Sequence, residues 1–162
     1  MAFKTTVAAG IPDIDAGEVI KSAPYDVQAY VDFEEGLLAG RFCQLKADVV
    51  SNMDGTATPK LVGIPRRKVT GEIADVSAYT KIGEGYDSAA EVIELGYATV
   101  QVATGAAPKR HTPVNVINEA SNAENGMATD AAVATGIISA GNVVFWEQKA
   151  PGVWLIRFNN YL

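Results

Sequence analysis

The chain has 162 residues and a formal net charge of -6, with 48% apolar and 20% charged residues. This length suits a single domain, and the composition is that of a folded protein and excludes wholesale disorder. The acidic balance argues against a nucleic-acid partner, because phosphate-binding surfaces need an excess of lysine and arginine.

The single cysteine, Cys43, excludes an intramolecular disulfide and a paired-cysteine metal site. It lies in a strand-like run, where we expect a buried, unreactive thiol. The N-terminus lacks the apolar segment of a signal peptide, and no apolar run approaches the roughly 18 residues of a membrane span. We therefore expect a protein made in a reducing cytoplasm, with no membrane partner.

Residues 1–26 differ from the rest of the chain. Glycine and proline recur at Gly10–Pro12, Gly17 and Pro24, among short apolar patches that have no sustained period. This pattern favours an extended arm that packs on another surface. An N-terminal strand and simple disorder are the alternatives.

Residues 27–162 predict a β-rich domain. Short strand-like runs at 40–45, 60–65 and 97–102 are separated by turn-forming segments such as 51–55, as is typical of a sandwich or barrel. The segment 87–96 is ambiguous: Ser88 and Glu91 have the spacing of a helix capping box, whereas the β-branched residues after them suit a strand. We predict a strand there.

Residues 114–142 are rich in alanine, asparagine, glycine and threonine and contain few large side chains. Such a segment buries little apolar area per residue. We predict a long surface excursion with a turn at Asn125–Gly126 and one short strand at 136–138.

The C-terminal region predicts a β-hairpin. Two apolar runs, at 143–148 and 153–158, flank Pro151–Gly152, a dipeptide that favours a tight turn. Both faces of the second run are apolar near the turn, which is expected in a two-layer core or at a subunit interface. The residues that we assign to the core or to an oligomer interface are Trp146, Trp154, Ile156 and Phe158.

The sequence offers no convincing active site. His111 is the only histidine, lies in an exposed-looking basic run, and is not accompanied by a nucleophile motif such as GxSxG. The carboxylates at 13–18 and at 34–35 lack the ligand number and glycine turn of a calcium loop, so we interpret them as solvated surface. No nucleotide-binding glycine motif is present. We predict no catalytic residue, no metal and no cofactor.

Four short segments occur in a recognisable order: Met1–Phe3, Ala23–Tyr25, Leu38–Phe42 and Val62–Arg67. Together with the strand-rich middle, the small-residue excursion and the closing apolar strand, this order resembles the cement or decoration proteins of tailed-bacteriophage heads. The resemblance spans most of the chain and implies an all-β, jelly-roll-like β-sandwich over 27–162, preceded by an extended arm over 1–26.

The resemblance also implies a function. Proteins of this family are non-enzymatic structural proteins of the virion, made in the host cytoplasm. They bind the outer surface of the shell of major capsid protein, bridge neighbouring subunits, and act as homodimers or homotrimers. The alternative is a tail, fibre or carbohydrate-binding β module, in which Trp146 or Trp154 would stack on a sugar. An enzyme with an unfamiliar site ranks last.

Two further groups of residues are expected to contact the shell. On this interpretation Ile11, Ile14 and Val19 of the arm lie in grooves of the shell or of a neighbouring subunit. Arg66 and Arg67 lie in the densest basic run of the sequence, and we expect them to pair with acidic capsid loops.

Overall fold

The computed structural model describes residues 26–66, 81–82 and 89–159, and these ranges contain eleven strands and no helix. It follows that no described segment is a long apolar helix of the kind that crosses a membrane. The strands are β1 Asp26–Tyr30, β2 Leu37–Leu38, β3 Cys43–Lys46, β4 Val49–Asn52, β5 Lys60–Pro65, β6 Lys81–Ile82, β7 Ala90–Gln101, β8 Pro113–Ile117, β9 Ala128–Thr129, β10 Ile137–Ala150 and β11 Val153–Phe158.

Nine strands form one antiparallel sheet that curls into a half-barrel. Its order is β4-β3-β5-β7-β11-β10-β8-β9, and β1 pairs with the first half of β7. The remaining strands, β2 and β6, pair with each other. The predicted all-β class is confirmed, and the jelly-roll connectivity stays a prediction.

The larger core cluster draws many of its large side chains from the long strands β7, β10 and β11. Strand alternation sends Ile156 and Phe158 of β11 into this core, where they pack with Phe145 of β10 and Val100 of β7. Burying an aliphatic or aromatic side chain of this size contributes about 1.5–3 kcal/mol. The three longest strands thus supply much of the apolar area that stabilises the curled sheet.

A second core cluster lies at the β3–β4–β5 end of the sheet and includes Leu37, Cys43, Val50 and Val92. The thiol of Cys43 is buried, as predicted, and its Sγ lies 3.4 Å from the carbonyl oxygen of Gly63. Burial raises the pKa of this thiol to about 12. Cys43 is therefore a packing residue and a poor nucleophile at neutral pH.

Several local predictions are confirmed. The predicted strands at 40–45 and 60–65 correspond to β3 and β5, and the segment 87–96 is extended from Ala90 onward as part of β7. The C-terminal hairpin is the β10–β11 pair, with Ala150 opposite Val153 across the Pro151–Gly152 turn. A turn ends at Gly126, as expected from Asn125–Gly126.

Two local predictions are wrong. Residues 114–142 are not a surface excursion: β8 and β9 lie within them, and Val114 and Val116 are fully buried. Their alternation over Pro113–Ile117 was obscured by the small and polar residues that follow. The turn expected at 51–55 begins later than predicted, because β4 continues to Asn52 and the turn lies at Asp54–Thr56, where the Asp54 carboxylate accepts from the amide of Thr56 at 2.9 Å. The separate reversal between β3 and β4 at Ala47–Asp48, both at positive φ, was not predicted.

Candidate functional site

The β10–β11 hairpin presents one face to the core and the other outward. Phe145 lies opposite Ile156 and Glu147 opposite Leu155, so the register shifts and Trp146 is the extra residue between them. Strand alternation places Trp146 on the face opposite to the buried Phe145 that precedes it, where it packs with the outward-facing Arg157.

Four side chains surround Trp146 on this outer face. The guanidinium carbon of Arg110 lies 4.1 Å from the centroid of its ring, and that of Arg157 lies 5.5 Å away. The rings of His111 and Tyr97 meet it edge to face, with centroids 5.1 and 5.6 Å distant. We call Tyr97, Arg110, His111, Trp146 and Arg157 the Trp146 cluster.

The loop that supplies Arg110 and His111 is fixed to β10 by backbone hydrogen bonds. The amide of His111 donates to the carbonyl of Phe145 at 2.7 Å, and the amide of Phe145 donates to the carbonyl of Thr112 at 2.9 Å. His111 adopts a left-handed conformation, with φ of 67°. Because this conformation is unfavourable for a residue with a Cβ, the surrounding contacts must hold it, and the loop presents its side chains in a defined arrangement.

The cluster is cationic although the chain is acidic. Arg110, His111 and Arg157 are exposed, and within the described ranges neither arginine forms an ion pair with a carboxylate. Trp146 is half-buried, and a cation over an aromatic ring at the protein surface contributes about 0.5–1 kcal/mol, which favours this stacked arrangement. Trp, Tyr and Arg are also the residues that most often dominate protein–protein binding energies. The cluster is therefore suited to binding an anionic protein surface.

No family model and no curated protein matches the chain. A solved structure does: one chain of the structure titled "The capsid of Myoviridae Phage XM1" is 44% identical, with a TM-score of 0.85, and the match covers 100% of both chains. The chain belongs to a family of phage head structural proteins. The expected class of protein, a structural component of the virion, is thus confirmed at this level.

In this phage head protein the predicted hairpin residues have different environments. Ile156 and Phe158 are buried, and the ring of Trp154 packs against the core with its centroid 5.6 Å from that of Phe145. Trp146 alone lies on the outer face. From the sequence, all four residues were expected in the core or at an oligomer interface, and the structure places three of them against the core.

The predicted partner-binding residues are divided between described and undescribed regions. Arg66 is half-buried and pairs with Glu91 of β7 at 3.0 Å, so its guanidinium already has an intramolecular carboxylate. Ile11, Ile14, Val19 and Arg67 lie outside the described residues. The prediction that these five residues bind the capsid stays a prediction.

Arg41, which was not predicted to be a site residue, fixes the loop between β8 and β9. Nε of Arg41 donates to Oε1 of Gln101 at 2.8 Å, and its Nη1 donates to the carbonyls of Ala123 at 2.8 Å and Asn125 at 3.1 Å. One side chain thus connects the start of β3, the end of β7 and this loop. The only sequence signal was its place in the Leu38–Phe42 segment of the family resemblance.

Asparagine side chains complete the attachment of the same loop. Asn118 accepts from the amide of Gly55 at 2.9 Å and donates to the carbonyl of Thr56 at 2.7 Å. Asn125 donates to the carbonyl of Met53 and accepts from the amide of Glu119 at 3.0 Å. A loop held by such paired bonds is rigid and acts as part of the domain.

Among the described residues, no three His, Cys, Asp or Glu side chains are grouped so that they could hold a metal ion.

Proposed function

We propose that this protein is a decoration protein, which binds the outer surface of the major capsid protein shell and stabilises it by bridging neighbouring subunits. The observation that carries the proposal is the end-to-end similarity to a chain of a phage capsid. The net charge of -6 supports the outer side of the shell, because an acidic protein facing the packaged genome would be repelled by its phosphates.

The mechanism is binding without chemistry. Each copy contributes modest contacts to two or more shell subunits, and the symmetry of the shell repeats those contacts many times. Linked contacts raise the effective concentration of each site for its partner, so the assembled layer binds more tightly than one contact does. The fixed loops around Arg41 and His111 support this role, because preformed surfaces lose little entropy on binding.

The N-terminal arm is proposed to extend the contact area. The arm would place Ile11, Ile14 and Val19 in grooves of the shell or of a neighbouring copy. Outside the arm, acidic capsid loops would meet Arg66 and Arg67. Deleting residues 2–22 removes none of the described residues. We therefore expect the truncated chain to keep its unfolding midpoint and to lose occupancy on isolated shells that lack this protein.

A matched pair of point variants tests the arm without shortening the chain. Ile14→Asp places a charge in the arm, whereas Val133→Asp places the same charge on a valine that is 61% exposed in the described domain. We expect lower shell occupancy for Ile14→Asp only. Equal occupancy of the two variants, together with normal binding of the truncated chain, would remove the arm from the proposal.

The copy number in the virion tests the proposal as a whole. Quantitative mass spectrometry of purified particles measures this chain relative to the major capsid protein. We expect a high ratio in simple proportion to the shell subunit. A handful of copies per particle would instead indicate a tail or fibre component, and absence from the particle would refute a structural role on the shell.

The carbohydrate-binding alternative receives little support from the two tryptophans. Trp154 is turned into the core beside Phe145, and the guanidinium of Arg110 lies over the ring of Trp146 at 4.1 Å. A sugar would have to displace that arginine before it could stack. We therefore place decoration of the shell first.

A further inference from the structure

A second surface, at the far end of the sheet, has the opposite charge to the Trp146 cluster. The segment before β2 runs alongside β4: the amide of Val50 donates to the carbonyl of Asp32 at 3.0 Å, and the amide of Glu34 donates to the carbonyl of Val50 at 2.7 Å. These bonds place the segment beside the first residues of β4. We call this surface the acidic edge, and it consists of Val31, Asp32, Glu34, Asp48 and Val49.

The acidic edge combines exposed carboxylates with exposed apolar side chains. Val31 is 73% exposed and Val49 is 38% exposed, and they are two of the three large hydrophobic side chains that are exposed in the described ranges. Asp32 and Asp48, which flank them, are exposed and form no ion pair with another described residue. An apolar centre rimmed by charge is typical of a protein-binding surface.

The two surfaces complement each other in chemistry but are separated within one chain. The Trp146 cluster offers an aromatic ring flanked by guanidinium groups, and the acidic edge offers two valines flanked by carboxylates. Val31 and Asp32 directly follow Tyr30, which pairs with Ala90 at the start of β7, whereas Tyr97 of the cluster lies seven residues further along the same strand. At about 3.3 Å per residue this spacing is about 23 Å along β7. One copy therefore does not satisfy its own complementary groups.

We propose that the Trp146 cluster of one copy binds the acidic edge of a second copy of this chain. The inference deepens the proposed function, on which it rests for its biological meaning, by naming the surfaces through which neighbouring decoration subunits meet. Arg110 and Arg157 would pair with Asp32 and Asp48, while the aliphatic stems of the two arginines and the part of the Trp146 side chain that stays exposed beside Arg110 contact the two valines. Every copy carries both surfaces, so the contact can produce two kinds of closed assembly. One is a two-fold dimer that contains the contact twice, and the other is a ring in which each copy binds the next.

Sedimentation velocity of the purified full-length chain tests self-association, over concentrations from micromolar to the solubility limit. We expect oligomers that weaken as NaCl rises from about 0.1 M to about 1 M, since the Debye length falls from about 10 Å to about 3 Å. A wild-type chain that stays monomeric throughout would overturn the inference, and so would oligomers that are insensitive to salt.

Charge reversal identifies the surfaces. Arg110→Glu and Asp32→Arg are each expected to weaken self-association about tenfold or more, because each places like charges opposite each other. Lys60→Glu is the matched control, since Lys60 is exposed at the start of β5, outside both surfaces, and should leave association unchanged. Thermal unfolding of each variant checks that the exposed substitutions leave the fold intact.

Mixing the two variants gives the decisive result. Arg110→Glu keeps its acidic edge, and Asp32→Arg keeps its cationic cluster, so the mixture restores one native contact and creates a reversed pair. We expect mixed oligomers where neither variant associates alone. Failure of the mixture to associate would refute this pairing. Shell occupancy of the wild-type chain, measured separately, tests the proposed function. A wild-type chain that binds shells but does not self-associate would overturn only this inference, and one that self-associates but does not bind shells would overturn only the proposed function.

Discussion

Replacing Arg41 with methionine should destabilise the domain by about 2–4 kcal/mol. Methionine keeps the aliphatic stem but removes three hydrogen bonds, to Gln101, Ala123 and Asn125. The carbonyl of the exposed Ala123 can be rehydrated, so the main cost comes from the two partly buried acceptors, at about 1–2 kcal/mol each for bonds from a charged donor. Burial lowers the pKa of Arg41, which indicates that this guanidinium is partly desolvated and depends on those partners.

Urea unfolding measures this effect as a shift of the midpoint at constant slope. Arg157→Met is the matched control: it removes the same guanidinium from an exposed position, where only the contact with Trp146 is lost, and should cost less than about 1 kcal/mol. Equal stabilities for the two variants would show that the Arg41 hydrogen bonds do not fix the loop between β8 and β9, and the account of that loop as part of the rigid domain would fail.

Two other substitutions test the same structure. Gly126 and Gly105 have nearly equal φ angles of 80° and 81°, but a Cβ at Gly126 would lie 2.9 Å from the carbonyl oxygen of Phe42, whereas one at Gly105 would meet nothing within 4 Å. Gly105→Ala should lower the free energy of unfolding by about 1–2 kcal/mol, because alanine disfavours the left-handed conformation. Gly126→Ala should lower it by about 1–3 kcal/mol more, because its Cβ would also meet the carbonyl oxygen of Phe42. Equal losses for the two variants in thermal unfolding would contradict this close contact. Hydrogen bonds from Gln44, Lys46 and Thr56 lower the pKa of Asp54 in the folded protein. The ionised carboxylate therefore stabilises the fold above its unfolded pKa of about 3.9, and this stabilisation is lost as pH falls through the folded pKa. Asp54→Asn should therefore be less stable at pH 7, by under about 1 kcal/mol for this partly exposed group, and the difference should shrink as pH falls below about 4; a difference that is independent of pH would argue against ionic stabilisation.

Elements specified by neighbouring residues were predictable from the sequence. Pro151–Gly152 fixes a turn between two apolar runs, and strand alternation then sends Ile156 and Phe158 to the core side. The thiol of Cys43 was correctly expected to be buried, because it lies in a strand-like run after Phe42. These predictions depend on local backbone preference and on a period of two, both of which are visible in a single sequence.

The failures involve interactions between distant segments. Val114 and Val116 are core residues because β8 pairs with β10, a strand more than twenty residues later in the chain. Trp146 lies opposite to the buried Phe145 by simple alternation, but its neighbours Tyr97 and Arg110 come from other parts of the chain, and the register shift beside it is set by the pairing of β10 with β11. A register shift and a cluster of this kind result from tertiary pairing, which neither composition nor alternation records.

The residues that stabilise the domain are largely separate from those proposed to bind partners. Arg41 and Asn125 hold the fold through bonds to backbone groups, whereas Arg110, Arg157 and Asp32 are exposed and bond to no described carboxylate or cation. Substitutions of the first kind should lower the unfolding midpoint and affect assembly only through loss of folded protein. Substitutions of the second kind should change association with only a small change in the midpoint, measured at concentrations where the chain is monomeric. The two measurements on one set of variants therefore distinguish a damaged domain from a damaged contact, which shell occupancy alone does not.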